Sequence, residues 1–309
     1  MKHSDIVVII PMYNSKDTIL RALNSIDAQT IIPNRVVVVD DGSVDESVSI
    51  VKDYAKNSKL LINVLLQPNS GPAAARNKGI TYSTENLICF LDSDDEWCNT
   101  KLEEQLCLYN KLTDEGRNVG LIDCFMVDIK GDKEVEQHNF VLKGNHFKDF
   151  LTMNVVKGTP CVMVRKDVVE ECGGFDEELK FAEDRLLWSK ISHRYEMHTV
   201  TKVLVKRYFG NEGNITFYPE KNYVHKMLFV EKFLNEFSCY LDSEQKIKFR
   251  LSNIYDFLTV FYANKNYNWV KVSYKDMMSV SLKSFYYNNY FATLKFIASC
   301  VKDKRKSDV

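Results

Sequence analysis

The sequence has 309 residues, of which 45% are hydrophobic, so it can fold as one large domain accompanied by a smaller one. Its formal net charge is -1, which excludes nucleic-acid binding driven by a general excess of positive charge. The cysteines include no C-x-x-C pair and the histidines show no H-E-x-x-H or Cys/His spacing, which argues against zinc. The amino terminus shows no signal-peptide pattern and no apolar run has the length of a membrane span. We therefore expect a cytoplasmic protein with reduced cysteines.

Short aliphatic runs alternate with amphipathic segments along the first third of the chain. The runs are Ile6–Ile10, Val36–Val39, Leu61–Leu66 and Leu87–Leu91. Their length and continuous hydrophobicity are typical of strands buried on both faces. Alternation with helical segments predicts a mostly parallel, Rossmann-like sheet with helices on both faces. The first strand-to-helix turn carries no G-x-G-x-x-G sequence, which argues against a dinucleotide site.

The first helix and the rest of the chain are predicted from the same kinds of pattern. Asn14 or Ser15 is expected to cap the first helix, whose apolar stripe comprises Ile19, Leu20, Leu23 and Ile26. Later strands are predicted at Val119–Val127, Thr159–Val164 and Val203–Tyr208, with a hairpin or loop between Ile129 and Asn145. From about Pro219 the pattern is helical. We therefore predict an α/β domain over residues 1–218 and a helical appendage over residues 219–309.

Three carboxylates follow the fourth predicted strand, in the stretch Leu87–Trp97, which reads L-I-C-F-L-D-S-D-D-E-W. Asp92, Asp94 and Asp95 repel one another unless a cation lies among them. Oxygen ligands of this kind suit Mg²⁺ or Mn²⁺. The carboxyl end of a strand in an open α/β sheet is also where ligands usually bind. The alternative is an Asp-rich turn that caps the following helix.

Five motifs occur in order along roughly the first two thirds of the chain. They are V-I-I-P-M-Y-N from Val8, V-D-D-G-S from Val39, G-P-A-A-A-R-N from Gly71, F-L-D-S-D-D from Phe90, and Gly174-Phe175-Asp176 followed by Glu183-Asp184. Together they resemble the inverting glycosyltransferases of family 2, of the bacterial polysaccharide type, which have the GT-A fold. The resemblance implies a nucleotide-binding half over residues 1–97 and an acceptor-binding half over residues 98–218. The helical region lies outside it.

The resemblance implies a role for several residues on the side of the sugar donor. Asp41 would recognise uracil, while Tyr13 and Pro11 would pack against the base or the ribose. Arg76 would contact the base or the diphosphate, because a guanidinium near a helix N-terminus attracts anions. Two alternatives stay open at this point. Asp40 and Asp41 could merely build a turn with Gly42, and Arg76 could be a surface residue paired with a nearby aspartate.

The resemblance also assigns the metal ligands and the catalytic base. Asp94 is the expected direct ligand of Mn²⁺ or Mg²⁺, Asp92 would hold the ribose or a metal-bound water, and Ser93 lies between them in the nucleotide-sugar site. Asp184 would act as the general base that inversion requires, with Glu183 assisting at the acceptor or the metal. The alternative for this last pair is that acidic residues simply favour the first turn of a helix.

Several features are left open by the sequence. Trp97 is expected in the core, whereas Trp188 could line the acceptor or lie in the core. Family members often carry a His after the last strand, but the segment Lys206–Glu212 has none, so Asn211 or Glu212 could substitute. Residues 255–309 hold nine Lys and Arg against four Asp and Glu, interleaved with aromatic residues such as Trp269. This composition suits either an anionic membrane surface or a solvated helical face.

We therefore predict transfer of a hexose or N-acetylhexosamine from a UDP-sugar to a saccharide or polyprenyl-diphosphate-linked acceptor. The reaction would take place in the cytoplasm. A further possibility is that the protein contacts the inner face of the cell membrane peripherally. Two other functions are compatible with a nucleotide-binding half of this kind: a sugar-nucleotide pyrophosphorylase, and a non-catalytic nucleotide-sugar binder or scaffold at the membrane. Release of UDP, release of pyrophosphate and binding without turnover distinguish the three.

Overall fold

The computed structural model describes residues 4–136, 139–209 and 219–280. They divide into two compact units, one within Met1–Glu178 and Glu183–Glu212 and the other within Leu179–Ala182 and Gly213–Val309. Within the described residues the strands of the first unit are Ser4–Met12 (β1), Pro33–Asp40 (β2), Ile62–Leu66 (β3), Leu87–Phe90 (β4), Glu96–Trp97 (β5), Val119–Lys130 (β6), Lys133–Glu136 (β7), Lys143–Gly144 (β8), Met163–Arg165 (β9) and Glu196–Phe209 (β10).

Helices of the first unit connect these strands. They are Ile19–Asp27 (α1), Ser47–Asn57 (α2), Pro72–Tyr82 (α3), Lys101–Asp114 (α4), Lys166–Glu171 (α5) and Glu183–Arg194 (α6), with short 3-10 turns at Asp149–Leu151 (η1) and Thr159–Cys161 (η2). The second unit contains Pro219–Glu236 (α7), Ser243–Ala263 (α8) and Tyr267–Val280 (α9). The predicted helical C-terminal region is therefore confirmed over its described part.

All ten strands belong to one sheet, in the order β3-β2-β1-β4-β9-β6-β10-β5, with β7 beside β6 and β8 beside β10. The neighbours β3, β2, β1 and β4 run parallel, as do β6 and β10, which form the longest pairing. Strand β9 runs antiparallel between β4 and β6 and joins the two parallel groups. The prediction of a mostly parallel α/β sheet is confirmed.

Successive residues of β1 enter two different hydrophobic cores, since side chains along a strand alternate between the faces of a sheet. Val8 and Ile10 lie in a core that α1, α2 and α4 also enter, whereas Val7 and Ile9 lie in one shared with α3, α5 and α6. All four of these side chains are fully buried. This arrangement confirms the prediction of helices on both faces and explains why the run is continuously aliphatic.

The parallel register brings the ends of three strands to one edge of the sheet. Met12, the last residue of β1, pairs with Asp40, the last residue of β2, and Ile9 pairs with Phe90 at the end of β4. The segments that leave these strands therefore begin side by side. Because ligands bind beyond the carboxyl ends of strands in open α/β sheets, this edge is where a functional site is expected.

Some local predictions were wrong. Helix α1 begins at Ile19 after Thr18, and not after a cap at Asn14 or Ser15. Leu20, which was predicted to lie in the apolar stripe, is 42% exposed, and Ala22 is buried instead. The strand predicted over Thr159–Val164 is the turn η2 followed by β9.

Other local predictions hold. Strand β7 pairs antiparallel with β6, so the predicted hairpin after Ile129 is confirmed over its described part. The last strand exists but begins earlier than predicted, at Glu196. The short strand Glu96–Trp97 was not predicted, since two residues give no periodicity.

Aromatic side chains form much of the core of the helical unit. The ring of Trp269 stacks on Phe261 with 5.5 Å between centroids and meets the ring of Tyr223 edge-on at 5.8 Å. This residue, which the composition grouped with aromatics suited to a membrane surface, therefore packs against other rings of its own unit. Among the described residues we find no helix that is both long enough and apolar enough to cross a bilayer.

Candidate active site

The turn after β4 gathers three carboxylates. The Asp95 N–H donates a hydrogen bond of 3.1 Å to the carbonyl of Asp92, and the Tyr208 N–H donates one of 3.1 Å to the Asp95 carboxylate. Helix α4 begins beyond Thr100, so the alternative that these residues cap it is wrong. Burial, together with the charge of Asp92, raises the pKa of Asp94 to about 6. The turn thus carries negative charge that a cation would stabilise.

Arg76 is buried beside this turn, with 5% of its surface exposed. Its guanidinium donates to Asp92 Oδ1 at 2.8 Å and to Glu183 Oε1 at 3.1 Å, and lies 5.4 Å from the ring of Phe175. The alternative is therefore wrong in placing Arg76 at the surface, although the pairing with an aspartate that it proposed is present. One buried cation joins the turn after β4 to the first residue of α6, which is more than ninety positions further along the chain.

The acidic pair Glu183 and Asp184 opens α6. Burial and then the charge of Asp184 raise the pKa of Glu183, while Arg76 opposes this shift. The Asp184 carboxylate accepts 3.2 Å and 2.6 Å hydrogen bonds from Asn154 Nδ2 and from the Arg185 N–H. Ala182, just before the pair, has φ 61, a left-handed conformation that is costly for a residue with a Cβ. The local backbone is thus strained at the start of this helix.

Asp41 follows β2 and is 4% exposed. Its carboxylate accepts three hydrogen bonds of 2.8 Å, from Gln67 Nε2, the Ser70 N–H and the Gly71 N–H. A carboxylate has about four acceptor positions, so most of its capacity holds the loop that leads into α3. Its neighbour Asp40 instead accepts a bond of 3.2 Å from the Ser43 N–H, as expected for a turn residue.

Three more predicted residues lie at the same edge of the sheet. Tyr13 is 49% exposed, whereas Pro11 is buried within β1, so Tyr13 offers the larger surface for a ligand. The Ser93 hydroxyl lies 2.7 Å from that of Ser15, which ties the turn after β4 to the segment after β1. The segment after β1 is also linked to the turn after β2, because Asn14 Oδ1 accepts a bond of 2.9 Å from the Val44 N–H.

The sequence that forms this arrangement matches a known protein family. The sequence model of glycosyl transferase family 2 matches residues 7–173, which is more than half of the chain. The chain belongs to glycosyl transferase family 2. The match ends before Glu183 and Asp184, so it covers the first four motifs and leaves the acidic pair of α6 outside.

Individual members of the family agree with this assignment. An uncharacterized glycosyltransferase of Rickettsia bellii is 29% identical over 222 residues, which are 72% of this chain and 31% of the relative. The amylovoran biosynthesis glycosyltransferase AmsB of Erwinia amylovora is 36% identical over 118 residues, 38% of this chain and 39% of the relative. The chain thus spans about a third of the length of the first curated relatives that it matches.

Solved structures show the same fold. The structure of S. aureus TarS 1-349 in complex with UDP-GlcNAc superposes with a TM-score of 0.68 at 21% identity, covering 95% of this chain and 88% of that chain. This likeness confirms the predicted GT-A fold.

The family motif around Gly174 and Phe175 has a structural role here. Asn77 Nδ2 donates to the Phe175 carbonyl at 2.8 Å, and the Phe175 N–H donates to Asn77 Oδ1 at 2.9 Å. Gly174 has φ 69, and a Cβ there would lie 2.8 Å from Asn77 Oδ1, so a side chain does not fit. The motif therefore holds the ring of Phe175 in place beside Arg76.

Sequence reasoning missed three residues that contact this family 2 site. Thr159 Oγ1 lies 3.4 Å from Asp92 Oδ2, Asn154 donates to Asp184, and Arg21 donates to the Asp94 carbonyl while its guanidinium lies 3.6 Å above the ring of Tyr208. Asn154 lies in an aperiodic segment, where spacing carries no signal, and Thr159 was assigned to a predicted strand although it lies in the turn η2. Arg21 was overlooked because it sits among the apolar residues of α1.

The two tryptophans near the acidic motifs are both core residues. Trp97 is 1% exposed and donates a 3.0 Å hydrogen bond from Nε1 to the Pro160 carbonyl, which confirms the prediction. Trp188 is fully buried and meets the ring of Phe175 edge-on at 5.8 Å, which decides between its two predicted positions. Asn211 and Glu212, the suggested substitutes for a metal-binding His, lie outside the described residues.

Proposed function

We propose that this chain transfers a hexose or N-acetylhexosamine from a UDP-sugar to a saccharide or a polyprenyl-diphosphate-linked oligosaccharide, with inversion at the anomeric carbon. One observation carries the proposal: Arg76 donates hydrogen bonds to both Asp92 and Glu183. This contact joins Asp92, a carboxylate proposed for the donor side, and Glu183, the neighbour of the proposed base Asp184, to one buried cation. A transferase needs both within reach of one anomeric carbon.

The donor is proposed from the family and the fold. S. aureus TarS, which shares the fold, has been solved in complexes with UDP-GlcNAc and with UDP. In this chain Asp41 would accept a hydrogen bond from uracil with the capacity left by its three backbone and side-chain donors. The exposed ring of Tyr13 would stack on the base or ribose, which typically contributes about 1–3 kcal/mol.

A divalent ion fits the turn after β4 in its chemistry. Asp92 and Asp94 offer oxygen ligands, and a cation there would counter the rise that burial and then the charge of Asp92 cause in the pKa of Asp94. Among the described residues no group of three His, Cys, Asp or Glu could hold an ion by itself. We therefore propose that Asp94 and Asp92 hold Mn²⁺ or Mg²⁺ together with diphosphate and water oxygens. When bound, the ion supplies positive charge that stabilises the leaving diphosphate.

Asp184 is proposed as the general base. The acceptor hydroxyl oxygen would form a bond to the anomeric carbon while the bond from that carbon to the diphosphate oxygen breaks. The hydroxyl proton passes to the Asp184 carboxylate, and UDP leaves with the electron pair. Direct displacement of this kind converts an α-linked donor into a β-linked product. Glu183, held by Arg76, would keep the start of α6 in position.

The acceptor class is proposed from the relatives. AmsB of Erwinia amylovora is described as an amylovoran biosynthesis glycosyltransferase, which supports a role in surface polysaccharide synthesis. Peripheral attachment to the inner face of the membrane rests on the basic and aromatic residues of 255–309, most of which lie outside the described residues. Co-sedimentation with anionic but not neutral phospholipid vesicles, weakened by salt, tests this part separately.

The direct test is UDP release from a panel of UDP-hexoses and UDP-N-acetylhexosamines, with and without Mn²⁺. We expect Asp94→Ala and Asp184→Asn each to lower turnover by about 10²–10⁴-fold. Asp53→Asn, at an exposed residue of α2 paired with Lys56, is the control and should keep full turnover. Full turnover in either site variant would refute the role assigned to that residue. Release of pyrophosphate would indicate a pyrophosphorylase, and UDP binding without turnover would indicate a non-catalytic binder.

A further inference from the structure

We infer that Asn154 is a positioning residue for Asp184, whose amide fixes the orientation of the carboxylate that accepts the proton. The inference rests on the proposed function, because it assigns Asn154 to the residue proposed as general base. It concerns a residue outside every motif that the sequence offered. Asn154 lies in the connection between η1 and η2, a segment that contains none of the five motifs.

The contact geometry fixes both oxygens of the carboxylate. Asn154 Nδ2 donates to Asp184 Oδ2 at 3.2 Å, while the Arg185 N–H donates to Oδ1 at 2.6 Å. A carboxylate held by one donor can still rotate about its last bond, whereas one held at both oxygens keeps a defined plane. Proton transfer depends on this orientation, because the base must reach a hydroxyl at hydrogen-bond distance. Asn154 therefore supplies the second of the two restraints described here.

The segment that carries Asn154 is itself held in place. The side chain of Arg185, which is 4% exposed, donates to the Phe150 carbonyl in η1 and ties this segment to α6. Val155 and Val156, directly after Asn154, are 1% and 0% exposed and anchor the chain in the core. Asn154 thus approaches Asp184 from a backbone that is fixed on both sides.

A second observation concerns the other end of the same amide. Asn154 Oδ1 is buried and has no hydrogen-bond partner among the described residues. A buried acceptor without a hydrogen-bond partner destabilises the fold, and an aliphatic residue would avoid this cost. Reversing the amide would set its oxygen against the carboxylate, which is worse. An asparagine in this position therefore reduces stability in exchange for a donor aimed at Asp184, a compromise typical of functional residues.

The test compares Asn154→Leu and the isosteric Asn154→Asp with Asn63→Leu. Asn63 is the matched control, because its Oδ1 is also buried without a partner among the described residues, but it lies in strand β3. We expect both Asn154 variants to lower kcat for UDP release by about 10–100-fold with the KM for the UDP-sugar unchanged, since misorientation acts on chemistry and not on donor binding. Asn63→Leu should keep the wild-type kcat.

A second readout does not depend on turnover. The carboxyl carbon of Asp184 is followed by NMR across pH in Asp-labelled protein and assigned with Asp184→Asn. Loss of a donor to the charged form should move its titration to higher pH in Asn154→Leu but not in Asn63→Leu, since Glu183, Arg76 and Arg185 remain as charged neighbours in both. Unchanged titration and unchanged kcat in the Asn154 variants would overturn the inference. Absence of UDP release by the wild type would instead refute the proposed function, and the titration would still decide the contact.

Discussion

The guanidinium of Arg76 lies 2.8 Å from the carboxylate of Asp92, although the two residues belong to different elements, α3 and the turn after β4. A second contact at 3.1 Å joins the same guanidinium to Glu183. The side chain of Arg76 is 6% exposed, that of Glu183 15% and that of Asp92 30%, so the contact with Glu183 is largely removed from water and the contact with Asp92 is partly removed. A buried pair of this kind is weak evidence for stability, but removing one partner leaves the other charge uncompensated.

Replacing Arg76 should therefore destabilise the fold as well as the site. We expect Arg76→Met to lower the free energy of unfolding in urea by about 3–5 kcal/mol, because it leaves Asp92 and Glu183 without their cation. Arg76→Lys should cost less but not restore the wild type, since one ammonium cannot reproduce the planar fork. Arg117→Met is the control, because its pair with Glu196 is at the surface and should contribute nothing measurable. Equal effects at the two positions would contradict this interpretation.

Asp41 should prove to be structural even without a nucleotide. Its carboxylate holds Gln67, Ser70 and Gly71, so Asp41→Asn, which presents a donor where an acceptor is needed, should cost about 1–3 kcal/mol in unfolding experiments without UDP. Asp40→Asn should cost less, because one described hydrogen bond, from the Ser43 N–H, reaches its carboxylate. Calorimetry with UDP then measures the nucleotide role separately. Unaltered stability in Asp41→Asn would show that the loop before α3 does not depend on this carboxylate.

The elements that sequence predicted best are those whose cause is local. Pro72 at the first turn of α3, after Gly71 with φ 95, fixes the start of that helix, so Arg76 lies near a helix N-terminus as the sequence predicted. Continuous aliphatic runs predicted the central strands, because a strand that is buried on both faces needs apolar side chains at successive positions. In contrast, Thr159–Val164 looked like one strand, but Pro160 cannot donate to a ladder and pairing begins at Met163.

The sequence predicted the carboxylates of the candidate site but not the residues that they contact. The family resemblance assigned Asp92 and Glu183 to one active site, yet spacing alone does not state that Arg76 lies buried between them. That contact depends on which face of α3 is buried. The sequence of the helix does not indicate this face, because the residues directly before the arginine are alanines. Asn154 was out of reach for a different reason: its position depends on the tertiary fold of an irregular segment.

Asp123 should make stability depend on pH. Burial in β6 raises the pKa of its carboxyl well above the ordinary value, and the hydroxyl of Thr199 opposes the shift by donating to it. The folded state then binds this proton more tightly than the unfolded state. Its contribution to stability is therefore present at low pH and is lost as pH rises from about 4, the usual value for aspartate, through the raised folded value.

Asp123→Asn tests this dependence, because its amide oxygen can still accept the hydrogen bond from Thr199. We expect the variant to be more stable than the wild type at neutral pH, with the difference shrinking by at most about 1.4 kcal/mol per pH unit as pH falls. Below the usual value for aspartate the gap should stop changing with pH. Urea unfolding from pH 3 to 8 measures it, and a gap that widens on acidification would show that the sign is wrong.

The two core tryptophans offer a matched comparison of one hydrogen bond. Trp97 Nε1 donates to the Pro160 carbonyl at 3.0 Å, whereas Trp188 Nε1 is buried with no partner among the described residues. Replacement by Phe removes similar apolar area at the two sites. Trp97→Phe, however, also leaves a buried carbonyl unpaired, while Trp188→Phe removes an unpaired donor.

We therefore expect Trp97→Phe to cost about 1–2 kcal/mol more than Trp188→Phe in urea unfolding. Each variant keeps an aromatic face, so the contact of Lys101 Nζ, 4.0 Å from the centroid of the Trp97 ring, does not account for the difference. If Trp188→Phe were the costlier change, its indole nitrogen would have to bind a group that the described contacts do not include. Because Trp188 lies in the core, neither substitution should alter the KM for an acceptor once one is identified.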